Sequence, residues 1–194
     1  MEKSDRNNKC VLVHFREAGF SSADVIARLL RVSKSYSYKI LFRLQTKGLI
    51  RKHYVDELRL SVWGLTEQGI LMSWLDDEAI KPRVAFQPSK LSPLMVVHEL
   101  QLQMAKIQAE EEGFKDWVFG NHLPGNLEKR PDAVVVNTEG KTIACELERF
   151  SKSRKRLEQI MSIYLRSIRR GEYHQIAYIA PNQDLAFRLK KLFW

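Results

Sequence analysis

Apolar positions recur first at helical and then at strand spacing, and this happens twice along the chain with different element orders. Over residues 8–18, Val11, Leu12 and Phe15 fall on one helical face, and Gly19 stops the helix. Ser21 or Ser22 caps a second helix whose stripe is Val25, Ile26, Leu29 and Leu30. Ser33 caps a third, with Ile40, Leu41 and Leu44 inward and Gly48 at its end. Residues 49–55 and 58–65 are β-type runs joined around Asp56-Glu57, which predicts a hairpin. Thr66 caps a fourth helix, with Glu67 at its start and Asp76 to Glu78 at its end.

Residues 81–93 place Pro82, Pro88 and Pro93 close together, which breaks both helix and sheet. This stretch is a linker, or a loop packed between two units, and the expected domains are 1–80 and 94–194. The second opens with a helix over 94–112 whose stripe is Leu94, Val97, Leu100 or Gln101, Met104 and Ile107, ended by Gly113. Strands follow at 117–119, 133–137 and 142–148, separated by a loop over 120–131 and a turn over 138–141. Ser151 or Ser153 caps a helix running to Arg169, then come a strand at 176–179 and a helix over 184–192. The predicted class is α+β, with no internal repeat.

Composition narrows the function classes. With 194 residues, 44% hydrophobic and 28% charged, the chain has enough apolar material for real cores, which excludes wholesale disorder. It has no apolar run of membrane-spanning length and a polar start, so the expectation is a cytoplasmic protein without membrane association. Cys10 and Cys145 sit in apolar runs, form no metal pattern, and read as buried thiols. No glycine-framed serine and no Walker or dinucleotide glycine motif is present.

The net charge of +9 points to an anionic partner, and its distribution says more. Residues 31–52 hold Arg31, Lys34, Lys39, Arg43, Lys47, Arg51 and Lys52 with no acidic residue. Residues 149–170 hold eight basic residues, among them Lys152, Arg154, Lys155 and Arg156, against Glu158. Each segment is thus +7 and the rest of the chain is −5.

The first unit resembles a winged helix-turn-helix. The resemblance is carried by the short turn Arg31-Val32-Ser33, the stretch from Leu44 through Gly48-Leu49-Ile50, and Leu65-Thr66-Glu67-Gln68-Gly69. It implies that the third helix enters the major groove with Lys34, Ser35, Tyr36, Ser37, Tyr38 and Lys39 outward. The lysines would neutralise phosphates, and Ser, Tyr and Arg43 could reach phosphates or base edges. Arg51, Lys52 and His53 would form the wing. A protein-interaction module is the competing reading.

The second unit has the order αβββαβα, which is that of the PD-(D/E)XK restriction-endonuclease-like core. Its motif residues would be Pro131-Asp132 and, across a hairpin, Glu146-Leu147-Glu148. Alternation along a strand puts Ala144, Glu146 and Glu148 on one face. Carboxylates converging from adjacent strands can hold Mg²⁺ or Mn²⁺, which would activate a water and steady the scissile phosphate. Asp132, Glu146 and Glu99 are the candidate metal ligands, and Asp132, Glu146, Glu148, Lys152 and His98 the candidate catalytic set. The chain departs from the motif at one point. The lysine expected two residues after Glu146 is Glu148, so Lys152 or Lys155 would have to supply it. Surface carboxylates paired with Arg149 and Arg154 are the plainer reading. His98 equally reads as a half-buried helix residue, and Trp117 and Tyr164 read as core.

Taken together, Val97-His98-Glu99-Leu100, Arg130-Pro131-Asp132-Ala133 and the run from Cys145 to Ser153 resemble the replication-relaxation family of plasmid proteins and the related MobC-type mobilisation proteins. The resemblance implies binding to an origin-type duplex of a plasmid or mobile element. It also implies a metal-dependent nickase that cuts with Asp132, Glu146 and Glu148, the strand being held by Arg154, Lys155 and Arg156. Relaxosome or replication proteins are the expected protein partners, and a homodimer is a further expectation. The alternatives are a non-catalytic DNA-binding regulator or relaxosome accessory factor with a degenerate nuclease fold, and an RNA-binding regulator.

Overall fold

A computed structural model describes residues 3–75, 77–150 and 152–193. By packing, the chain divides into Met1–Met104 and Ala105–Trp194.

The first unit contains α1 (Lys3–Ala18), β1 (Phe20–Ser22), α2 (Ala23–Leu30), α3 (Lys34–Thr46), β2 (Ile50–Val55), β3 (Leu60–Leu65) and α4 (Glu67–Ser73). Gly19 ends α1 at a φ of 80°, where a Cβ would be strained. Ser22 caps α2 by accepting the Val25 amide at 3.4 Å, and Ser33 caps α3 by accepting that of Tyr36 at 3.2 Å. β2 and β3 form the expected antiparallel hairpin, in register from Ile50 opposite Leu65 to Val55 opposite Leu60. This is a winged helix-turn-helix. Its core joins Val11 and Phe15 of α1, Ile26 of α2, Ile40, Leu41 and Leu44 of α3, and Trp63 of the wing.

Sequence periodicity missed β1, which lies against β3 to give the order β1-β3-β2. Phe20-Ser21-Ser22 is too short to show alternation, and its partners Val62 to Gly64 lie far along the chain. α4 stops at Ser73, short of the expected end at Asp76 to Glu78; Asp76 lies outside the described residues. The reason is Arg16. Its guanidinium donates to the Ser73 carbonyl at 3.1 Å and to both Glu78 carboxylate oxygens at 2.8 and 2.7 Å, drawing the chain out of the helix.

The Leu65-Thr66-x-x-Gly69 motif has a steric basis. Thr66 Oγ1 accepts the Gly69 amide at 3.1 Å and donates to the Gly48 carbonyl at 2.7 Å, locking α4 onto the end of α3. A Cβ on Gly69 would stand 1.8 Å from the Leu49 carbonyl oxygen. Gly69→Ala is therefore expected to destabilise this unit by ~3 kcal/mol despite alanine's better helix propensity, which urea unfolding followed by circular dichroism would measure.

The proline-rich stretch is packed on the first unit. Phe86 is buried with Phe20, Val55, Val62 and Val96, and its amide donates to the Leu65 carbonyl at 2.9 Å. Gly64 makes room for it, since a Cβ there would lie 2.4 Å from the Phe86 ring. The packing boundary consequently falls inside α5 (Pro93–Glu111). The phase of α5 also differs from the expected stripe. Leu94 and Met104 are exposed, while Val96, Leu102, Gln103 and Ile107 are buried. Gln103 is a polar residue that periodicity assigns outward. It is fully buried because its amide donates to the Phe20 carbonyl at 2.8 Å and its oxygen faces His14 Nε2 at 3.1 Å.

The second unit contains β4 (Lys115–Phe119), β5 (Ala133–Val136), β6 (Thr142–Leu147), α6 (Arg154–Arg169), β7 (Gln175–Ile179) and α7 (Gln183–Phe193). The sheet runs β4-β5-β6-β7, antiparallel except that β7 is parallel to β6 across the α6 crossover. Ser153 caps α6 through the Arg156 amide at 3.4 Å; the alternative Ser151 lies outside the described residues. Ala144 packs with Ile160, Tyr164 and Tyr173, so the face of β6 that carries Glu146 looks toward α6.

Candidate functional site

The exposed face of α3 is the first candidate. Ile40, Leu41 and Leu44 are inward, which leaves Lys34, Ser35, Tyr36, Tyr38 and Lys39 outward. Ser37 corrects the expected outward set. It is fully buried, donating to the Ala23 carbonyl at 2.8 Å, and so fixes α3 against α2. Arg43 is half-buried and turned to α1, with Nη2 3.1 Å from Asn8 Oδ1. Lys34 is paired with Asp24 of α2 at 2.8 Å, an acid outside the segment that looked purely basic. Sequence reasoning missed Phe42, which is 72% exposed. Ser35, Lys39, Phe42 and Thr46 follow one another at i, i+4, i+7 and i+11, the outermost line of the helix.

The wing is tied to this helix through one indole. Trp63 Nε1 donates to Gln45 Oε1 at 3.2 Å, the Tyr38 ring meets the Trp63 ring edge-on at 5.8 Å, and Lys52 Nζ lies 5.6 Å above it. Arg51 lies 5.7 Å over the Phe86 ring. Arg51 and Lys52 are exposed, so α3 and the wing present cations from two elements with fixed spacing.

The second basic run differs from its sequence picture. Arg154, Lys155 and Arg156 are exposed at the start of α6, and Arg154 pairs with Glu158 at 2.9 Å. Further along, Arg166 and Arg170 both bind Glu128, which arrives from the loop between β4 and β5, and Arg170 also binds Glu172 at 2.7 Å. The Arg166 guanidinium holds the Glu128 carboxyl below its usual range. One acid distant in sequence, Glu128, thus engages two of the cations at the end of α6, and Glu158 and Glu172 pair locally with Arg154 and Arg170.

The carboxylates of the second unit form the other candidate site. The Asp132 amide donates to the Cys145 carbonyl at 3.0 Å, and Asp132 Oδ2 accepts the Leu147 amide at 2.7 Å. This places the Asp132 side chain across β6, beside Glu146. Glu146 is 6% exposed, and its Oε1 accepts from both Lys129 Nζ and the Tyr164 hydroxyl. Lys129 Nζ is 3.2 Å from that hydroxyl and 5.1 Å from the ring centre. Burial pushes the Glu146 carboxyl up from its usual value, Lys129 pulls it down, and Asp132 pushes it up again. Burial and then the Glu146 charge drive the Tyr164 phenol far above its usual value, so it stays an O–H donor. Glu148 is buried and pairs with Lys152. Cys145 faces the other side, its thiol pushed by burial to about 12.

The structure therefore brings Asp132 and Glu146 together and sets Glu148 with Lys152. His98 and Glu99 stand half-buried on the part of α5 that packs with the first unit, His98 Nδ1 being 3.5 Å from Glu99 Oε1. Among the described residues, no three His, Cys, Asp or Glu side chains are grouped to hold a metal ion. Of the lysines considered for the motif, Lys152 reaches a carboxylate and Lys155 is exposed. The lysine on Glu146 is Lys129, which sequence reasoning missed. The available signal was Glu128-Lys129-Arg130, a charged triplet directly before Pro131-Asp132.

No protein-family model matches the chain, and no curated protein does. Solved structures that resemble it include Lactococcus lactis ZitR. A mutant of ZitR in complex with DNA is 26% identical over 34% of this chain and 46% of that one, with a TM-score of 0.32. The crystal structure of ZitR as a zinc-responsive MarR family member is 27% identical over 34% and 46%, with a TM-score of 0.31. A mutant in apo form is 19% identical over 58% and 70%, with a TM-score of 0.34. The chain spans about half the length of the first two of these structures. No helix among the described residues is long and apolar enough to cross a membrane.

Proposed function

We propose that this chain binds double-stranded DNA through α3 and the wing, and acts as a non-catalytic regulator or accessory factor at an origin-type site of a plasmid or mobile element. The observation that carries this reading is the outward line of α3. Lys39 stands on it beside Tyr38, and Lys52 of the wing lies over Trp63, whose ring meets that of Tyr38. Such cations release counterions from the duplex, so log affinity is expected to fall with log salt by about 0.9 per phosphate contacted. Fluorescence anisotropy against a labelled duplex over a series of salt concentrations tests this. A flat salt response, or tighter binding to structured RNA of equal length, would sink it.

Phe42 belongs to the same reading. An aromatic ring on the crest of the helix fits against a thymine methyl in the major groove. Phe42→Ala is expected to lower affinity for a duplex selected from a random pool by about tenfold, while leaving binding to unrelated duplex nearly unchanged. Competition titration with the two duplexes measures the difference.

A metal-dependent nickase is the second reading. It is favoured by the placing of Asp132 and Glu146 on adjacent strands, with lysines on Glu146 and Glu148. In the structure one oxygen of each of these carboxylates is engaged by donors of the chain itself. Glu146 Oε1 already accepts from Lys129 and Tyr164, Asp132 Oδ2 from the Leu147 amide, and Glu148 is taken by Lys152. Incubation of supercoiled origin DNA with Mg²⁺ or Mn²⁺ decides it. Open circles made by wild type and lost in Asp132→Ala and Glu146→Ala would establish nicking; intact supercoils would end the idea.

A further inference from the structure

We infer that Lys129 is a tethered cation that stands in the Asp132–Glu146 cluster in place of a divalent metal ion. The inference does not depend on DNA binding by α3, and it cannot hold together with the nickase reading.

The cluster places two carboxyl groups together, and a cation beside them offsets their mutual repulsion. Glu146 is 6% exposed, and a buried carboxylate is tolerated when it is paired and hydrogen-bonded. Asp132 lies close enough to add a second negative potential at the same place. Two neighbouring carboxylates ionise together when a positive charge sits between them or against one of them. Lys129 Nζ supplies that charge at Glu146 Oε1, and the Tyr164 hydroxyl supplies a second donor to the same oxygen.

The ammonium is also held from behind. Its sequence neighbour Glu128 binds both Arg166 and Arg170 on α6, while Tyr164, which takes part in the cluster, belongs to the same helix. Lys129 thus hangs from a loop pinned to α6 one residue away, with Nζ 5.1 Å from the centre of the Tyr164 ring. A lysine placed in this way is not a wandering surface side chain. Its ammonium stands against the same Glu146 oxygen that a hard cation would seek.

Two consequences can be measured on the full chain by the loss of the free Mn²⁺ signal in electron paramagnetic resonance. Wild type and Lys129→Arg, which keeps the charge, are expected to show no saturable Mn²⁺ site. Lys129→Met keeps the stem, removes the ammonium, and is expected to gain one saturable Mn²⁺ site that wild type lacks. That site should vanish again when Asp132→Asn is added. Lys129→Gln serves as a second variant, and circular dichroism verifies that each is folded. Saturable binding by wild type that Asp132→Asn abolishes overturns the inference, as does a folded Lys129→Met or Lys129→Gln without a Mn²⁺ site. If neither variant folds, thermal melting of wild type decides: a melting temperature unmoved by Mn²⁺ supports the tethered cation, and a rise that depends on Asp132 overturns it.

Discussion

Lys39→Glu combined with Lys52→Glu will weaken binding of the chain to duplex DNA by about a hundredfold at physiological salt. Each lysine is exposed, one on the outermost line of α3 and one on the wing, and Trp63 fixes the distance between their elements. Losing a phosphate contact removes its counterion release, and a carboxylate in its place adds repulsion, so each reversal is worth about tenfold. The slope of log affinity on log salt should become shallower by about 2. Anisotropy titrations at several salt concentrations give both quantities. The matched control is Lys155→Glu with Arg156→Glu on α6, which alters charge equally but leaves α3 and the wing intact. Equal losses in the two double variants would mean that total charge alone drives binding, and the assignment to α3 would fail.

Arg16→Met will cost the first unit ~3 kcal/mol. The Arg16 side chain is 3% exposed and satisfies Glu78, Glu17 and the Ser73 carbonyl, with Trp74 stacked 4.1 Å from its guanidinium. Methionine fills most of the volume but leaves that carbonyl and the Glu78 carboxylate without their donor. The Glu78 side chain is 33% exposed, so water recovers part of the loss, which keeps the figure at the low end for a broken buried pair. The same pair gives a pH dependence of definite sign. Hydrogen bonding to Arg16 lowers the Glu78 pKa in the folded state. Its contribution is therefore present in full above the carboxylate's unfolded pKa and is lost as pH falls through the lower folded value. Urea unfolding over the acid range should show wild type losing more stability than Glu78→Gln. Parallel curves for the two would remove the pair from any account of acid unfolding.

Local signals were legible wherever one residue's chemistry suffices. Ser22, Ser33, Thr66 and Ser153 cap helices because a side-chain oxygen meets an amide three residues on, a relation contained in the sequence itself. The hairpin of β2 and β3 and the αβββαβα order of the second unit were readable for the same reason, since strand and helix periods differ. The illegible parts are contacts between distant residues. Gln103 faces inward because of the Phe20 carbonyl and His14, and Ser37 because of the Ala23 carbonyl. No periodicity encodes a polar residue that is buried to satisfy a carbonyl elsewhere.

The charge pattern divides in the same way. By itself the sequence determined two basic segments, a wing of Arg51 and Lys52 beside a capped helix, and an aspartate that faces a glutamate across a hairpin. The tertiary structure decided which of those charges are still available. Asp24 takes Lys34, Glu128 takes Arg166 and Arg170, and Lys129 takes Glu146. Ion pairs depend on distances of a few ångströms, and only the folded chain sets those distances between residues tens of positions apart. Net charge counts residues, whereas a partner meets the charge left after the fold has paired them.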